Sequence, residues 1–402
     1  MRNKFFRFRA VTLFLLLGMR LTVPAFGNEW APGKRDITIP TIDISAESER
    51  QVVIAQGTSD RRQGHANTLL LSDGKSILMA WTYGHGGPCG PLKKSSDSGK
   101  TWSDLLEVPN NWAEHANCPP LYRLPDPQGQ EHIFTFANRG PQGHIMYQAH
   151  SADGGQTWSP FTPSRLPEEG ILGEGEKPAP TVMPFTAIVP VNDGQALLGV
   201  TNLRRPGEKG RTNVLSQSRS TDGGFSWSRW EIILDLGNPF NPCEPELIRS
   251  PDGSQLLMII RENDRSFNSW MMTSDDEGKN WSKPVQATAS VSMDRHQHQY
   301  SADGRLVMVG RDTAAKSSTR GHFIAWVGTY EDLIQGREGQ YRVKLLPHHG
   351  GGNVEYPAIE VLPDGTFVAT NSVRYRPGEN YSVANTRFML DELDRRLPMK
   401  GQ

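Results

Sequence analysis

The sequence predicts an all-β protein, a six-bladed β-propeller, on three observations. Six hairpin-like stretches recur along the chain, and four copies of one short Asp- and Trp-containing phrase lie among them. The composition, with 40 Gly and 29 Pro in 402 residues, is rich in turns and has no long apolar helix.

The hairpins read LLLSDGKSILMAW, YRLPDPQGQEHIFTF, IVPVNDGQALLGV, LIRSPDGSQLLMII, HQYSADGRLVMVG and IEVLPDGTFVATN. Each sets an Asp-containing turn between two apolar, β-prone runs, the pattern of a β-hairpin. The turn aspartates are Asp73, Asp126, Asp193, Asp252, Asp303 and Asp364, spaced 51 to 67 residues apart, which predicts six similar units. The second repeat is SSDSGKTWS from Ser95, SADGGQTWS from Ser151, STDGGFSWS from Ser220 and SDDEGKNWS from Ser274, following the hairpin in the first four units. Its Asp carboxylate is placed to accept N–H groups of its own turn, and its Gly permits positive φ. Its Trp supplies a large apolar face for a neighbouring unit. The phrase therefore reads as a structural staple, not as catalytic machinery, and its acids lack the twelve-residue spacing of a calcium loop. Six four-stranded units around an axis leave only short, protected sheet edges. The early strand RQVVIAQ is expected beside YSVANTRFML, closing the ring, with helical turns at YEDLIQG and LDELDRRL.

A formal charge of −1 gives no sign of a nucleic-acid surface or a general affinity for anionic lipid. The first ten residues hold four Arg or Lys, VTLFLLLGM is apolar, and Ala25 and Gly27 are small residues before a cut ahead of Asn28. This predicts a secretory signal at 1–27 and a secreted or periplasmic protein, with no membrane span in the mature chain. The expected division continues with an extension at 28–48, the propeller at 49–395 and a tail at 396–402. Three cysteines suit either one disulfide, Cys89 and Cys118 being nearer in sequence than either is to Cys243, or three buried thiols.

With hairpins and phrases placed, residues 50–390 resemble the sialidase superfamily, six-bladed propellers that carry such phrases, known as Asp boxes, on turns of their outer strands. In that architecture chemistry gathers where the first strands of the blades converge on the axis. Counting back nine residues from the hairpin Gly finds His65, Glu244, Arg295 and Tyr356 in the first, fourth, fifth and sixth units. The returning strands end on Arg261 and Arg311. The resemblance implies that Tyr356, opening YPAIEVLPDG, is the nucleophile and that Glu244 accepts its proton. It also implies that Arg261 and Arg311 clamp a substrate carboxylate, with Arg320 in reserve and Arg295 in the same substrate-binding set. Guanidinium groups match a carboxylate with paired donors. Glycoside cleavage passes through an oxocarbenium-like state, and sialidases use Tyr where other glycosidases use a carboxylate. No cofactor or metal is implied, and the expected partner is a glycan bearing an acidic sugar.

Two family parts are missing. Gly64 stands where the first clamp arginine is expected, with Arg61 and Arg62 upstream and out of register. The loop TYGHGGPCGPLKKSS holds no Asp or Glu for the acid/base, which leaves His65 and His85 as candidates, and Glu114 and His115 as others. An acidic sugar other than sialic acid fits equally well. His296 and His298, two apart on a strand, offer two same-face metal ligands without a third. His348 and His349 are expected to be exposed, and Arg204 and Arg205 solvated. The leading expectation is an exo-acting, sialidase-like glycosidase. The alternatives are a hydrolase or lyase of another acidic polysaccharide using a His acid/base, and a non-catalytic glycan-binding propeller.

Overall fold

A computed structural model describes residues 33–164, 181–205, 213–237 and 240–398. The segment read as a signal, 1–27, lies outside them. Two strands precede the first hairpin, β1 (Thr41–Asp43) and β2 (Gln51–Ala55). The first sheet holds β3 (Gln63–Leu70), β4 (Ile77–Tyr83) and β5 (Leu92–Ser95). The second holds β6 (Leu121–Pro125), β7 (Glu131–Ala137), β8 (Tyr147–Ser151) and β9 (Thr162–Pro163). The third holds β10 (Ala187–Val191), β11 (Ala196–Arg204), β12 (Asn213–Ser220) and β13 (Glu231–Leu234). The fourth holds β14 (Pro242–Arg249), β15 (Leu256–Glu262), β16 (Trp270–Ser274) and β17 (Val285–Gln286). The fifth holds β18 (Met293–Tyr300), β19 (Leu306–Asp312), β20 (Phe323–Gly328) and β21 (Tyr341–Lys344). The sixth holds β22 (Pro357–Val361), β23 (Phe367–Val373) and β24 (Ser382–Phe388).

Every turn aspartate sits between the first two strands of its sheet, as the hairpin pattern predicts. β2 pairs antiparallel with β24 and completes the sixth blade, so the ring closes as expected, and β1 adds in parallel to β21 on the fifth. The two helical turns are α1 (Tyr330–Ile334) and α2 (Leu390–Asp394). Residues of β3, β6, β10, β14, β18 and β22 together line one polar cavity of about 240 Å³, which places the first strand of all six blades around the axis. Among the described residues no helix is long and apolar enough to cross a membrane.

The Asp boxes hold adjacent blades together. In the second blade the Ser151 hydroxyl donates to Asp153 and accepts the Gly155 N–H, at 2.8 and 2.9 Å. Asp153 accepts the N–H of Gln156 and of Thr157 at 2.9 Å each. The Thr157 hydroxyl also donates to it, and these bonds pull its carboxyl down to about 2. Gly155, at φ 84°, lies so close to the first blade that a Cβ there would stand 2.5 Å from Leu78. The same glycine in the third and fourth boxes meets Leu124 and Leu198 of the preceding blade. In the first box, Asn385 of the sixth blade donates to the Gly99 carbonyl at 2.9 Å. Trp158 and Trp227 are buried in the inter-blade clusters with Leu78 and Leu124. All three cysteines are buried and reduced, so the disulfide alternative does not hold.

Candidate active site

The register found by counting from the turn glycines is a structural device. β3, β14 and β18 each carry a bulge there, and the bulged residues His65, Glu244 and Arg295 adopt φ of 46°, 46° and 47°. Left-handed φ is costly for residues other than Gly, and bulges are used to re-aim a side chain. Cys118, just ahead of β6, has φ 44° and joins the same group. The strain turns side chains of four blades toward one point beside the axis.

There, the Tyr356 hydroxyl donates to Glu244 Oε1, and Arg261 Nη1 holds Glu244 Oε2 at 2.7 Å. Glu244 and Tyr356 are 2 % and 6 % exposed. Burial and the adjacent Glu244 carboxylate push the Tyr356 phenol well up, so it keeps its proton until a base takes it. Asp294, fully buried, binds three arginines: Arg261 Nε at 2.9 Å, Arg265 Nη2 at 2.6 Å and Arg311 Nε at 2.8 Å. Burial alone would raise the Asp294 carboxyl, but Arg261, Arg311 and Arg265 outweigh it and hold it at about 2. Arg311 Nη1 also donates to the Val354 carbonyl at 2.9 Å.

On the other side of Tyr356, His65 stacks on its ring with centroids 4.4 Å apart. His65 Nε2 and His85 Nδ1 lie 3.3 and 2.7 Å from the same oxygen of buried Glu355, whose other oxygen pairs with Arg62. These three groups offer ligand atoms within 4.8 Å of one another, a spacing a divalent metal could use. The tautomer opposes that. The Gly86 N–H points at His65 Nδ1 (3.2 Å), which makes Nδ1 an acceptor and keeps the proton on Nε2, the atom that would have to bind metal. Both imidazoles therefore donate to Glu355, and the His85 side chain remains 57 % exposed. Burial first, then Arg62 and Arg311, lower the His85 pKa, and burial lowers that of His65 further.

The structure thus gathers Tyr356, Glu244, Arg261, Arg311, His65 and His85. Arg295 comes to the same place but not to the mouth. It is 3 % exposed, its guanidinium carbon 5.4 Å from the Tyr356 ring centroid, with Nε and Nη2 buried and unpartnered. It holds and polarises the phenol more than it reaches a ligand. Arg320 is exposed on the β19–β20 loop and takes no part in the cluster's hydrogen bonds or ion pairs, so it is no substitute for Arg311. Arg311 pairs with Asp294, and the neighbouring Asp312 pairs with Arg342 at 2.5 Å. His115 is buried against the Asn111 carbonyl (2.8 Å), and Glu114 is exposed. His296 faces the Val291 carbonyl and His298 faces Glu246, so the two do not converge on a metal. Half-buried His348 accepts the Arg374 N–H. Arg204 and Arg205, expected in solvent, are half-buried and bonded to Asn213 and Asp235.

Glu355 and Asp294 enter the site without having been singled out in the sequence, and Arg62 enters it although the register count set it aside. Arg62 supplies a first-blade guanidinium from two residues before Gly64. Around Tyr356 and Asp294, five guanidinium groups (Arg62, Arg261, Arg265, Arg295 and Arg311) face three carboxylates (Glu244, Asp294 and Glu355). With both histidines neutral, this leaves an excess of two positive charges in a poorly solvated place. Such a place attracts an anion.

A six-bladed ring of Asp-box blades, with this cluster at the starts of its inner strands, defines a propeller of the sialidase superfamily. Residues 121–368 match the model of the BNR repeat-like domain, and the chain belongs to that family. A sialidase of Micromonospora viridifaciens is 23 % identical over 354 residues, a match covering 66 % of this chain and 51 % of that protein. The chain therefore spans about half the length of that relative. Among solved structures, a Dyadobacter fermentans protein of unknown function has TM-score 0.64 and 16 % identity, covering 84 % of this chain and 97 % of its own. The Penicillium chrysogenum alpha-L-arabinanase complexed with arabinobiose has TM-score 0.61 and 16 % identity, covering 85 % and 98 %. The intramolecular trans-sialidase of Ruminococcus gnavus has TM-score 0.56 and 15 % identity, covering 86 % and 98 %. At these identities the likeness is one of fold, shared by glycosidases of different specificity.

Proposed function

We propose that the protein is an exo-acting glycoside hydrolase that releases a terminal acidic sugar, sialic acid or a related one, from glycans. The observation that carries this reading is the Tyr356 hydroxyl bonded to Glu244, with Arg261 on the far oxygen of the same carboxylate. Glu244 takes the phenol proton as the Tyr356 oxygen attacks the anomeric carbon, and a neutral phenol meets an anionic sugar without charge repulsion. Arg261, Arg311 and Arg62 would take the substrate carboxylate with the N–H donors not already bound to Glu244, Asp294, Glu355 and the Val354 carbonyl. His85, held through Nδ1 by Glu355, takes the place of the missing acidic residue. In its protonated form it gives the leaving oxygen the Nε2 proton, and the neutral ring that remains later draws a proton from water. The basic-then-apolar segment at 1–27 supports action outside the cytoplasm.

A second reading rests on the neutral state of His85. A neutral imidazole beside guanidinium groups suits removal of the proton next to a uronate carboxylate, a lyase reaction. The test is turnover of fluorogenic sialosides and of a uronide panel by wild type and Tyr356→Phe. Hydrolysis by wild type, with kcat down at least about 1000-fold in Y356F and ligand binding retained, is the expected result. Unchanged turnover removes Tyr356 as nucleophile. An unsaturated product from a uronide selects the lyase. Binding without turnover across the panel makes the protein a glycan-binding propeller.

A further inference from the structure

We propose that the leaving side of the substrate is also anionic, and that a pocket built around Arg139 receives a sulfate or carboxylate on the sugar next to the one released. This rests on the glycosidase reading given above. The pocket, about 450 Å³, is lined by Asn117, Asn138, Arg139, His144, Thr181 and Arg204 among others. Among the described residues that line it, none is an Asp or a Glu. Its floor is fixed, since Asn117 Nδ2 donates to Asn138 Oδ1 at 2.7 Å and Asn138 Nδ2 to the Thr181 carbonyl at 2.9 Å. Both asparagines are thereby committed to the protein, and Arg204 is bonded to Asn213, which leaves Arg139 as the donor for a ligand. Arg139 has no carboxylate partner among the described residues, and its Nε is buried without a hydrogen bond. A buried donor of a charged group that nothing satisfies is costly, and a bound anion is the group that would satisfy it.

The place of the pocket decides what the anion belongs to. Gly86 lies between two of its lining residues, Arg139 and Asn117, and His65. A Cβ on Gly86 would stand 3.0 Å from Arg139 Nη2, 3.2 Å from Asn117 Oδ1 and 3.7 Å from His65 Cε1. Asn117 is joined to the centre again through Cys118, whose Sγ lies 3.1 Å from Asn117 Oδ1 and 2.8 Å from His65 Nδ1. His85, immediately before Gly86, therefore stands between the Tyr356–Glu244–arginine centre on one side and Arg139 on the other. A general acid delivers its proton to the oxygen shared by the released sugar and its neighbour. The released sugar occupies the Tyr356 side, so its neighbour extends past His85 toward Arg139. At that position a guanidinium offers a sulfate or carboxylate paired donors.

The experiment compares wild type, Arg139→Gln and Arg139→Lys on one acidic sugar carried by four leaving groups: an aryl fluorophore, a neutral sugar, a sulfated sugar and a uronate. The expected result is a loss of about 10- to 100-fold in kcat/KM for R139Q on the sulfated or uronate substrate, carried by KM. The aryl and neutral substrates should change less than about 3-fold, and R139K should recover part of the loss. Whichever anionic arm is affected identifies the substituent. Equal losses on all four substrates, or none on either anionic one, overturn the proposal. If wild type turns over none of the four, the glycosidase reading fails separately. The pocket is then read by titrating free galactose 6-sulfate, glucuronate and galactose into wild type and R139Q. Binding of an anionic sugar by wild type, lost in R139Q, sustains the pocket, and equal behaviour of the two proteins ends it.

Discussion

Replacing Asp294 by Asn tests whether the arginine cluster is held by one buried carboxylate. In the native protein fully buried Asp294 meets Arg261 at 2.9 Å and Arg311 at 2.8 Å, both themselves buried, and half-buried Arg265 at 2.6 Å. Asn preserves volume but removes the charge and presents N–H donors to guanidinium groups that are themselves donors. The local excess rises from two positive charges to three. Breaking a buried ion pair by removing one partner costs about 3–5 kcal/mol. The acid titration gives a second, smaller figure. A carboxyl held at about 2 instead of 3.8 contributes roughly 2 kcal/mol, at about 1.4 kcal/mol for each pH unit. The larger figure applies to the variant, because protonation leaves a shaped acceptor in place and substitution does not. The sign follows from a folded pKa below the unfolded one: the contribution is complete above pH 4 and is lost as pH falls toward 2. Denaturant unfolding at pH 7 should show D294N less stable by about 3 kcal/mol, and the gap from wild type should narrow below pH 4. Equal stability at pH 7, or a gap that stays constant down to pH 2, would refute the role given to Asp294.

Three further outcomes are expected. Glu355→Gln removes the anion shared by both imidazoles, so kcat should fall about 10- to 100-fold with little change in KM, because binding through Arg261 and Arg311 persists. Because burial, Arg62 and Arg311 already lower the His85 pKa, protonated His85 declines as pH rises through a value below 6.5. Turnover of substrates with poor leaving groups should decline on that limb while aryl glycosides hold, and in E355Q the limb should move to still lower pH; profiles that coincide would remove His85 as the acid. Asp153→Ala, which unties the second Asp box from its N–H donors, should cost on the order of 1 kcal/mol in denaturant unfolding without altering kcat, by analogy with loss of a helix cap.

The fold was legible because hairpin turns and Asp boxes are local signals, each needing only its own few residues. The register count reached four site residues because the hairpins of the first, fourth, fifth and sixth blades have equal length. It missed the second blade, whose longer turn puts Cys118 eleven residues before Gly129, although its φ of 44° matches the others. The bulges were invisible, since nothing in His65, Glu244 or Arg295 favours left-handed backbone. Asp294 was hidden next to Arg295, because an ideal strand would send neighbours to opposite faces. The bulge after it instead lets Asp294 sit across from Arg311. Glu355 was masked by Tyr356 in the same way: both lie ahead of β22, where no pleat separates their side chains. Arg62 is reached only by the length of its side chain, a distance that counting positions along a strand does not measure.

The strand that shuts the ring has a consequence for how the molecule is made. Gln51 is paired with Thr386, so one of the earliest strands must wait for nearly the last before its N–H and C=O groups are satisfied. Such a distant pairing carries a large loop-closure cost and belongs late in folding. A chain emerging from its N-terminus would hold five blades in some state of assembly while β2 remained an open edge. The sixth blade is thus a clasp whose two halves are synthesised at opposite ends of the process, and shortening the chain by its last strand would leave the whole circle unfastened.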